Sequence, residues 1–438
     1  MSFQAQLTLL KSQLVRAITG SAALSLTATG LGFLTSVVLA RALGAGGYGA
    51  YAYAFAWVNV LCIPAQLGFD KLLVREVAIY QGRKQWGYLR GLLRSANWVC
   101  FITASLLAGS VFGITLWFRD AINPEFILPL WIALLLVPIT VLTRVRQATM
   151  FGLRRVIQGQ ISENLVRPLC FLMFMLGASQ WWIGEIAARD AVAINVFAAI
   201  IAFCVGAMIL LRALAVHTGQ AAPAYQFKNW IGSAFPMMLL ASLQAINAHV
   251  DVLMLGAMKG EEVVGIYYVA LRYAALISFI LVAVNSSLGP RIAQLYDRQD
   301  LIGLQRLVTM SSRAILVIAV TILAILVIFG EWFLSLFGEE FVTGHTVLTI
   351  LCLGQIVNSA MGSIGLILTM TGNEGLAARG AGMTAVMNIA LNAVLIPRYG
   401  MEGAAMSSAL ALISWNLIFA YWVYRRVGIV PSAVAKLS

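Results

Sequence analysis

Charged residues are scarce in this sequence. Asp, Glu, Lys and Arg make up 11% of the 438 residues, whereas hydrophobic residues make up 61%. A soluble globular protein carries roughly 25% charged residues, so this chain cannot cover such a surface with polar groups. The composition excludes a soluble globule. It indicates an all-α polytopic membrane protein, because helices satisfy their own backbone hydrogen bonds in lipid.

Motifs for metal binding, disulfides, nucleotide binding and nucleophilic catalysis are also lacking. No Walker A sequence occurs, and Gly44, Gly46 and Gly49 spell GxGxxG between two apolar helical segments, which indicates an outer hairpin turn instead of a βαβ unit. We therefore expect no cofactor, no metal and no enzymatic activity. No cysteine pair has CxxC spacing, and all five lie in or beside apolar stretches, as expected for small buried hydrophobic residues: Cys62, Cys100, Cys170, Cys204 and Cys352.

Long apolar segments are abundant. A spanning helix needs ~20 apolar residues, and twelve segments of this kind separate along the chain, over residues 17–40, 48–69, 95–117, 127–147, 161–180, 190–214, 229–257, 263–290, 313–335, 344–371, 376–397 and 402–424. We predict two six-helix lobes around a central cavity. The predicted parts are an interfacial segment (1–16), the N-lobe (17–215), a cytoplasmic linker (216–228), the C-lobe (229–424) and a cytoplasmic tail (425–438).

Lys and Arg predict the orientation. With the N-terminus in the cytoplasm, 22 of the 29 fall in the inside loops and at the inner flanks of the spans, 5 fall on the outside, and Arg167 and Arg272 lie within spans. This asymmetry follows the positive-inside rule and places both termini in the cytoplasm. The net charge of +12 then has a membrane explanation. We expect no nucleic-acid partner, because no basic run is interleaved with aromatic residues.

The two halves of the chain resemble each other at one turn. At an offset of 216 residues, Gly44 matches Gly260, Gly49 matches Gly265 and Tyr51 matches Tyr267. Each set lies between equivalent spans of a six-span half, so the second half enters the membrane in the same direction as the first. Parallel repeats of this kind are typical of alternating-access transporters.

Two opposite charges lie in the seventh and eighth spans. Asp251 is about 9 Å and Arg272 about 13 Å from the outer ends of their spans, at 1.5 Å per residue. Each charge costs ~2.5–3.5 kcal/mol at a helix centre. Either the two form a structural ion pair, or one or both lie in the central cavity as a ligand or proton site. We predict that they contact each other in at least one state of the cycle.

Further polar residues lie in other spans. Glu163 and Arg167 have the i, i+4 spacing of a same-helix ion pair, and Arg167 is alternatively placed to meet an anionic cargo. Arg41 ends the first span, where it either snorkels to headgroups or meets cargo. Six amides favour helix–helix hydrogen bonds or a hydrophilic cavity for sugars: Gln244, Asn247, Gln355, Asn358, Asn388 and Asn392.

Three segments carry a family resemblance. They read VVLARALGAGGYGAYAYAF at 37–55, LGFDKLLVREVA at 67–78, and VDVLMLGAMKGEEVVGIYYVALRYA at 250–274. They resemble the oligosaccharide flippases of the multidrug/oligosaccharidyl-lipid/polysaccharide exporter superfamily, over nearly the whole chain. The resemblance implies translocation of a polyprenyl-pyrophosphate-linked oligosaccharide, such as an O-antigen repeat unit, across the bacterial inner membrane. It also implies alternating access coupled to H⁺ or Na⁺, with Arg41, Arg167 and Arg272 as candidates for the pyrophosphate.

Rival functions fit the sequence less well. A cation-coupled multidrug exporter needs carboxylates in its cavity, and the spans offer few besides Asp251 and Glu163. A membrane-embedded glycan ligase or polymerase needs a sizeable outer loop for its catalytic residues, and the outer loops are short. A channel would show a filter-like loop or a ring of charges. The expected partners are the lipid-linked substrate, membrane lipids, a coupling ion and other membrane proteins of polysaccharide assembly.

Overall fold

The structure is a computed structural model that describes residues 3–181, 186–215 and 222–435. The first half contains α1 (Phe3–Ala65), α2 (Phe69–Gly82), α3 (Trp86–Trp117), α4 (Pro124–Leu134), α5 (Leu136–Gly152), α6 (Val156–Ile161), a π-helical turn (Ser162–Val166), α7 (Arg167–Trp181) and α8 (Ala188–Ala215). The second contains α9 (Phe227–Lys259), α10 (Glu261–Asp297), α11 (Leu301–Ile328), α12 (Gly330–Ser335), α13 (His345–Met361), α14 (Ile364–Met370) and α15 (Glu374–Val427).

The helices confirm an all-α polytopic membrane protein. In the described residues, nine helical stretches are long and apolar enough to cross a membrane, including Leu24–Ala65 with 42 residues and Glu374–Val427 with 54. Each of these two is interrupted by one glycine with non-helical backbone angles, Gly44 or Gly400. Dividing them there, and counting the 33-residue α9, accounts for the twelve predicted spans.

The structure has a single glycine where the sequence predicted a turn between the first two spans, and another at the equivalent place in the second half. Gly44 has φ 66° and ψ 179° within α1, and Gly260 has φ 90° and ψ −178° between α9 and α10. Positive φ is accessible to glycine at little cost, so one residue suffices to redirect the chain. The two glycines that the 216-residue offset pairs thus adopt nearly the same backbone conformation.

The chain folds into two compact units whose boundaries differ from the predicted lobes. Unit 1 comprises Met1–Leu43 and Ala54–Ser242, and unit 2 comprises Gly44–Tyr53 and Leu243–Ser438. The first half of α9 therefore packs with the first half of the chain, and the ten-residue segment Gly44–Tyr53 packs with the second half. Of the predicted linker 216–228, residues 216–221 lie outside the described residues, as do 1–2 of the N-terminal segment and 436–438 of the tail.

Close contacts between backbones explain where the first half of α9 packs in unit 1. A Cβ atom added to Gly68 would lie 2.1 Å from the carbonyl oxygen of Ala234, so only glycine allows this approach. On the same helix, the Trp230 indole Nε1 donates a hydrogen bond of 3.0 Å to the Tyr80 hydroxyl. These contacts hold the start of α9 against the end of α1 and against α2.

Unit 2 buries a hydrophobic cluster formed by the end of α10, the start of α11, α14 and the end of α15. Ile292, Leu304, Ile367 and Phe419 are all fully buried within it. Other large apolar side chains are exposed, among them Trp117 at 83%, Ile328 at 72% and Met173 at 71%. Exposed apolar surface on this scale is expected where helices face lipid.

The predicted orientation is testable by labelling from outside the cell. In a variant without the five native cysteines, we expect a membrane-impermeant thiol reagent to modify Lys259→Cys but not Arg155→Cys. Lys259 is exposed and ends α9 at the predicted outer side, whereas Arg155 lies between α5 and α6 at the predicted inner side. Labelling of position 155 with protection of position 259 would reverse the orientation.

Candidate functional site

Unit 2 contains a cavity of about 380 Å³. Its walls combine apolar side chains, including Leu271, Leu412 and Trp415, with six polar residues. The polar set comprises one carboxylic acid, four amides and a hydroxyl: Asp251, Gln244, Asn247, Gln355, Asn388 and Ser408. A mostly apolar cavity with a few converging polar groups is the usual form of a binding site.

Asp251 is the acidic residue of this cavity wall and is 3% exposed. One of its carboxylate oxygens accepts hydrogen bonds from the Tyr267 hydroxyl at 2.5 Å and the Ser408 hydroxyl at 3.0 Å. The other accepts the backbone N–H of Val252 at 2.8 Å. Three converging donors offset much of the cost of burying this acid.

Four of the six amides singled out in the sequence lie in the wall of the cavity, namely Gln244, Asn247, Gln355 and Asn388. Asn388 is 1% exposed and directs its amide nitrogen to the side-chain oxygen of Asn247 at 3.2 Å. Gln355 accepts a hydrogen bond of 2.8 Å from Ser278. The cavity amides thus join helices to one another, and contact with a sugar stays a prediction.

The other two amides support the cavity wall from behind. Asn358 donates to Gln355 at 3.4 Å and accepts from Asn416 at 3.2 Å. Asn392 is fully buried and donates to the Asn388 side chain at 3.0 Å. Among the residues that the structure describes, the Asn392 side-chain oxygen has no hydrogen-bond donor.

Arg272 lies on α10 of unit 2, five residues after the tyrosine that contacts Asp251. The titratable side chains around it include Tyr48, Tyr51 and Tyr268. Tyr48 is 1% exposed, and its ring packs at 6.0 Å from Tyr268. Since Asp251 uses hydroxyl and backbone donors in this structure, its contact with Arg272 in some state of the cycle stays a prediction.

Unit 1 holds the second polar group of interest. The Arg167 guanidinium forms an ion pair with Glu163, four residues earlier. It also donates to the side-chain oxygen of Asn195 on α8, at 2.8 and 3.2 Å. The Arg167 side chain is 15% exposed, so it is largely enclosed by these partners. Whether it binds cargo stays a prediction.

Arg146 is a buried cation at the inner end of the predicted span 127–147, where it was counted among the cations of the inside loops and flanks. It is 5% exposed and lies on α5, inside the candidate span Pro124–Gly152. Its guanidinium donates to the Phe203 carbonyl oxygen and to the Ser162 hydroxyl, and lies 5.0 Å from the Phe203 ring centre. A Cβ atom on Gly206 would lie 2.4 Å from this guanidinium, so the space that the Arg146 side chain fills depends on glycine at position 206.

Arg146 and Asn195 were missed for different reasons. Arg146 belongs to the stretch RVRQATMFGLRR at 144–155, whose four arginines are typical of the inner flank of a span and the loop that follows it. Asn195 is the single amide in the apolar stretch AVAINVFAAIIAF at 191–203, and this signal could have identified it. Arg41 is exposed in the structure, three residues before the break at Gly44.

Comparison with known proteins places the chain in a family. The profile of the family described as "Polysaccharide biosynthesis protein" matches residues 14–296, and that described as "MatE" matches residues 233–394. The "Probable low-salt glycan biosynthesis flippase Agl15" of the archaeon Haloferax volcanii is 25% identical over 406 residues, which cover 91% of this chain and 81% of that protein.

Solved structures show the same fold. An inward-facing multidrug resistance transporter of the MATE family has a TM-score of 0.76 at 13% identity, covering 91% of this chain and 94% of its own. The inward closed lipid II flippase MurJ has a TM-score of 0.71 at 14% identity, covering 92% and 87%. The profile match spans more than half of the sequence, and the chain therefore belongs to the polysaccharide biosynthesis protein family, within the multidrug/oligosaccharidyl-lipid/polysaccharide exporter superfamily.

Proposed function

We propose that the chain is a flippase that moves a polyprenyl-pyrophosphate-linked oligosaccharide across the membrane by alternating access. The family match over residues 14–296 carries this proposal. A relative named as a probable glycan biosynthesis flippase supports it over 91% of the chain. We place the protein in the bacterial inner membrane with both termini in the cytoplasm, and with other membrane proteins of polysaccharide assembly as partners.

The proposal is testable by reconstitution. A fluorescent polyprenyl-pyrophosphate disaccharide is incorporated into both leaflets of proteoliposomes, and an impermeant glycosidase is added outside. We expect the protein to make the inner-leaflet pool accessible to the glycosidase, while protein-free vesicles keep that pool protected. Equal protection with and without the protein, under an imposed H⁺ gradient and also under an imposed Na⁺ gradient, would contradict the flippase function.

Arg167 is our first candidate for the pyrophosphate. A pyrophosphate favours a guanidinium because charge-assisted hydrogen bonds to its oxygens are strong and can be bidentate. Asn195 fixes the direction of the Arg167 guanidinium from one side, and Glu163 neutralises it in the absence of cargo. In this scheme the pyrophosphate displaces Glu163 without moving Asn195. Arg41 and Arg272 are the further candidates.

Arg167→Gln is expected to reduce the flipping rate about tenfold or more, because the variant loses a charge-assisted hydrogen bond to the pyrophosphate. Arg167→Lys keeps the charge but not the planar fork that contacts Asn195, so we expect an intermediate rate. Glu163→Gln is the matched control, because it removes the other charge of the pair and leaves the guanidinium. Initial flipping rates measure all three variants, and wild-type flipping by Arg167→Gln would remove Arg167 from the cargo site.

Asp251 is our candidate for the coupling site. A buried carboxylate in a cavity wall is stabilised when a cation neutralises it, and both H⁺ and Na⁺ do this. The Ser408 hydroxyl, which contacts Asp251, and the Asn388 amide in the same cavity wall supply the neutral oxygen atoms that a small cation also uses. Uptake of the ion at this site would change the charge of unit 2 during each cycle.

A cation-coupled multidrug exporter is the alternative, and one observation favours it. The "MatE" profile matches residues 233–394, which include Asp251 in the cavity of unit 2. A cationic drug would pair with this carboxylate. The two functions are separated by offering the same proteoliposomes a cationic dye, which a flippase for anionic cargo leaves in place and a drug exporter moves.

A further inference from the structure

A second cavity in unit 2 lies between α10 and α11, outside the polar cavity that contains Asp251. It measures about 450 Å³ and is lined by two arginines, Arg291 and Arg306, together with Gln294 and Ser311. Its apolar wall contains Leu295, Leu307 and Met310. A pocket with paired cations beside apolar side chains suits an anionic group that is attached to a hydrocarbon chain.

The two arginines lie at the same height on antiparallel helices. Arg291 is six residues before the end of α10 and Arg306 is five residues after the start of α11. At 1.5 Å per residue, both are about 8–9 Å from the hairpin tip. Both are exposed, and within the described part of the chain neither has a hydrogen bond or an ion pair. Their charges are therefore available to a ligand.

The acidic residues of the hairpin do not neutralise this pair. Asp300 caps α11, where its carboxylate accepts the backbone N–H of Gly303 at 2.8 Å. Asp297 is exposed at the end of α10, beside Arg298. The described residues that line the cavity include two arginines and no carboxylate, so the cavity keeps a net positive charge.

An apolar stripe continues from the cavity along α11. Met310 follows Arg306 by four residues, and Val317 follows Met310 by seven, so all three lie on one helix face. Arg313 lies between the two apolar residues on this face and donates to the Ala433 and Ala435 carbonyl oxygens. Met310 and Val317 are exposed at 58% and 67%. Such a stripe is the surface along which an acyl chain would lie, whereas a free phosphate would not use it.

We propose that this cavity binds the headgroup of an anionic phospholipid, with its phosphate between Arg291 and Arg306 and an acyl chain along Met310 and Val317. On the predicted orientation, this lipid belongs to the cytoplasmic leaflet. The site is separate from the proposed cargo and coupling residues. Its occupancy would tie the hairpin of α10 and α11 to the negatively charged membrane surface.

Lipid titration of the purified full-length protein tests this site. Native mass spectrometry in neutral detergent measures binding of palmitoyl-oleoyl-phosphatidylglycerol, with palmitoyl-oleoyl-phosphatidylcholine as the zwitterionic comparison. We expect phosphatidylglycerol to bind more tightly. Arg291→Gln with Arg306→Gln is expected to weaken it about 30-fold, from the contribution of a basic residue near an anionic lipid surface. Arg298→Gln with Arg379→Gln removes the same charge from unit 2 outside the cavity and is expected to change binding little.

Three outcomes would overturn the proposal. The first is equal loss of phosphatidylglycerol in both double variants, which would mean general charge attraction. The second is equal binding of the two lipids by the wild type. The third is an increase in the thermal unfolding midpoint with inorganic phosphate alone, as large as with phosphatidylglycerol and dependent on the same arginines, which would identify a phosphate site.

A single variant keeps the test decisive if the double variant fails to fold. Met310→Glu leaves both arginines in place and puts a carboxylate at the apolar wall. We expect it to weaken phosphatidylglycerol binding through the acyl stripe and the added negative charge. Unchanged binding by Met310→Glu would contradict the placement of the lipid.

Discussion

Asp251→Asn is expected to reduce ion-driven transport at least about tenfold, which corresponds to the loss of 1.4 kcal/mol of coupling free energy. The amide that replaces the carboxylate has no charge for H⁺ or Na⁺ to neutralise, so an imposed ion gradient no longer acts at this position. Transport in proteoliposomes with and without the gradient measures the effect, and the gradient is expected to make little difference to the variant.

We expect Asp251→Asn to fold, because the hydrogen-bond partners of Asp251 can also bond to an amide. Tyr267 and Ser408 both contact the carboxylate through hydroxyl groups, and a hydroxyl can accept a hydrogen bond as well as donate one. The amide nitrogen can therefore donate to them, while the amide oxygen still accepts from the backbone of Val252.

Ser408→Ala is the matched control for this experiment. It removes one hydrogen bond of 3.0 Å from the same carboxylate but keeps the charge, so we expect gradient-driven transport to persist at a reduced rate. If Asp251→Asn responds to the gradient as the wild type does, the coupling site lies elsewhere.

Gly49→Ala is expected to destabilise the protein by about 1–3 kcal/mol, the usual cost of inserting atoms into a packed site. A Cβ atom at position 49 would lie 1.8 Å from the Glu261 carbonyl oxygen and 2.7 Å from the Gly265 nitrogen. Both obstacles are backbone atoms, so no side chain can rotate away. The thermal unfolding midpoint in detergent measures the loss.

Two other glycines of α1 provide controls for Gly49. A Cβ atom at Gly46 would meet only the Glu261 side chain, at 3.5 Å, and one at Gly30 would meet nothing within 4 Å. Alanine at these helical positions should be neutral or mildly stabilising, because glycine is the poorer helix former. A Gly49→Ala variant as stable as Gly46→Ala would show that the two backbones do not approach this closely in the protein.

Composition and hydrophobic segments were enough to predict the all-α membrane fold. Lipid leaves few alternatives, since each spanning segment must satisfy its own backbone hydrogen bonds. The offset of 216 residues also had structural meaning, because Gly44 and Gly260 adopt nearly the same backbone angles. Which helices pack together was harder to predict. The apolar span 229–257 contains no pattern that assigns its first half to unit 1 and its second half to unit 2.

The sequence singled out polar residues that the structure places in one cavity wall, but not the residues with which they pair. The depth argument joined Asp251 to Arg272, but depth fixes only the height of a residue and not the direction in which it points around its helix. Its hydroxyl partners, Tyr267 and Ser408, lie 16 and 157 residues away. The environment of Arg146 depends similarly on Gly206, sixty residues later, and nothing in the sequence near Arg146 indicates that space.

The division of the chain into units has a consequence for expressing the protein in pieces. The polypeptide passes from one unit to the other three times, after Leu43, Tyr53 and Ser242. A gene split near the sequence midpoint, within 216–221, therefore gives an N-terminal fragment without the first half of α9. The complementary fragment lacks the segment Gly44–Tyr53, including the buried Tyr48. Neither fragment carries all the residues of its own core, so soluble or membrane-inserted halves produced separately are incomplete domains.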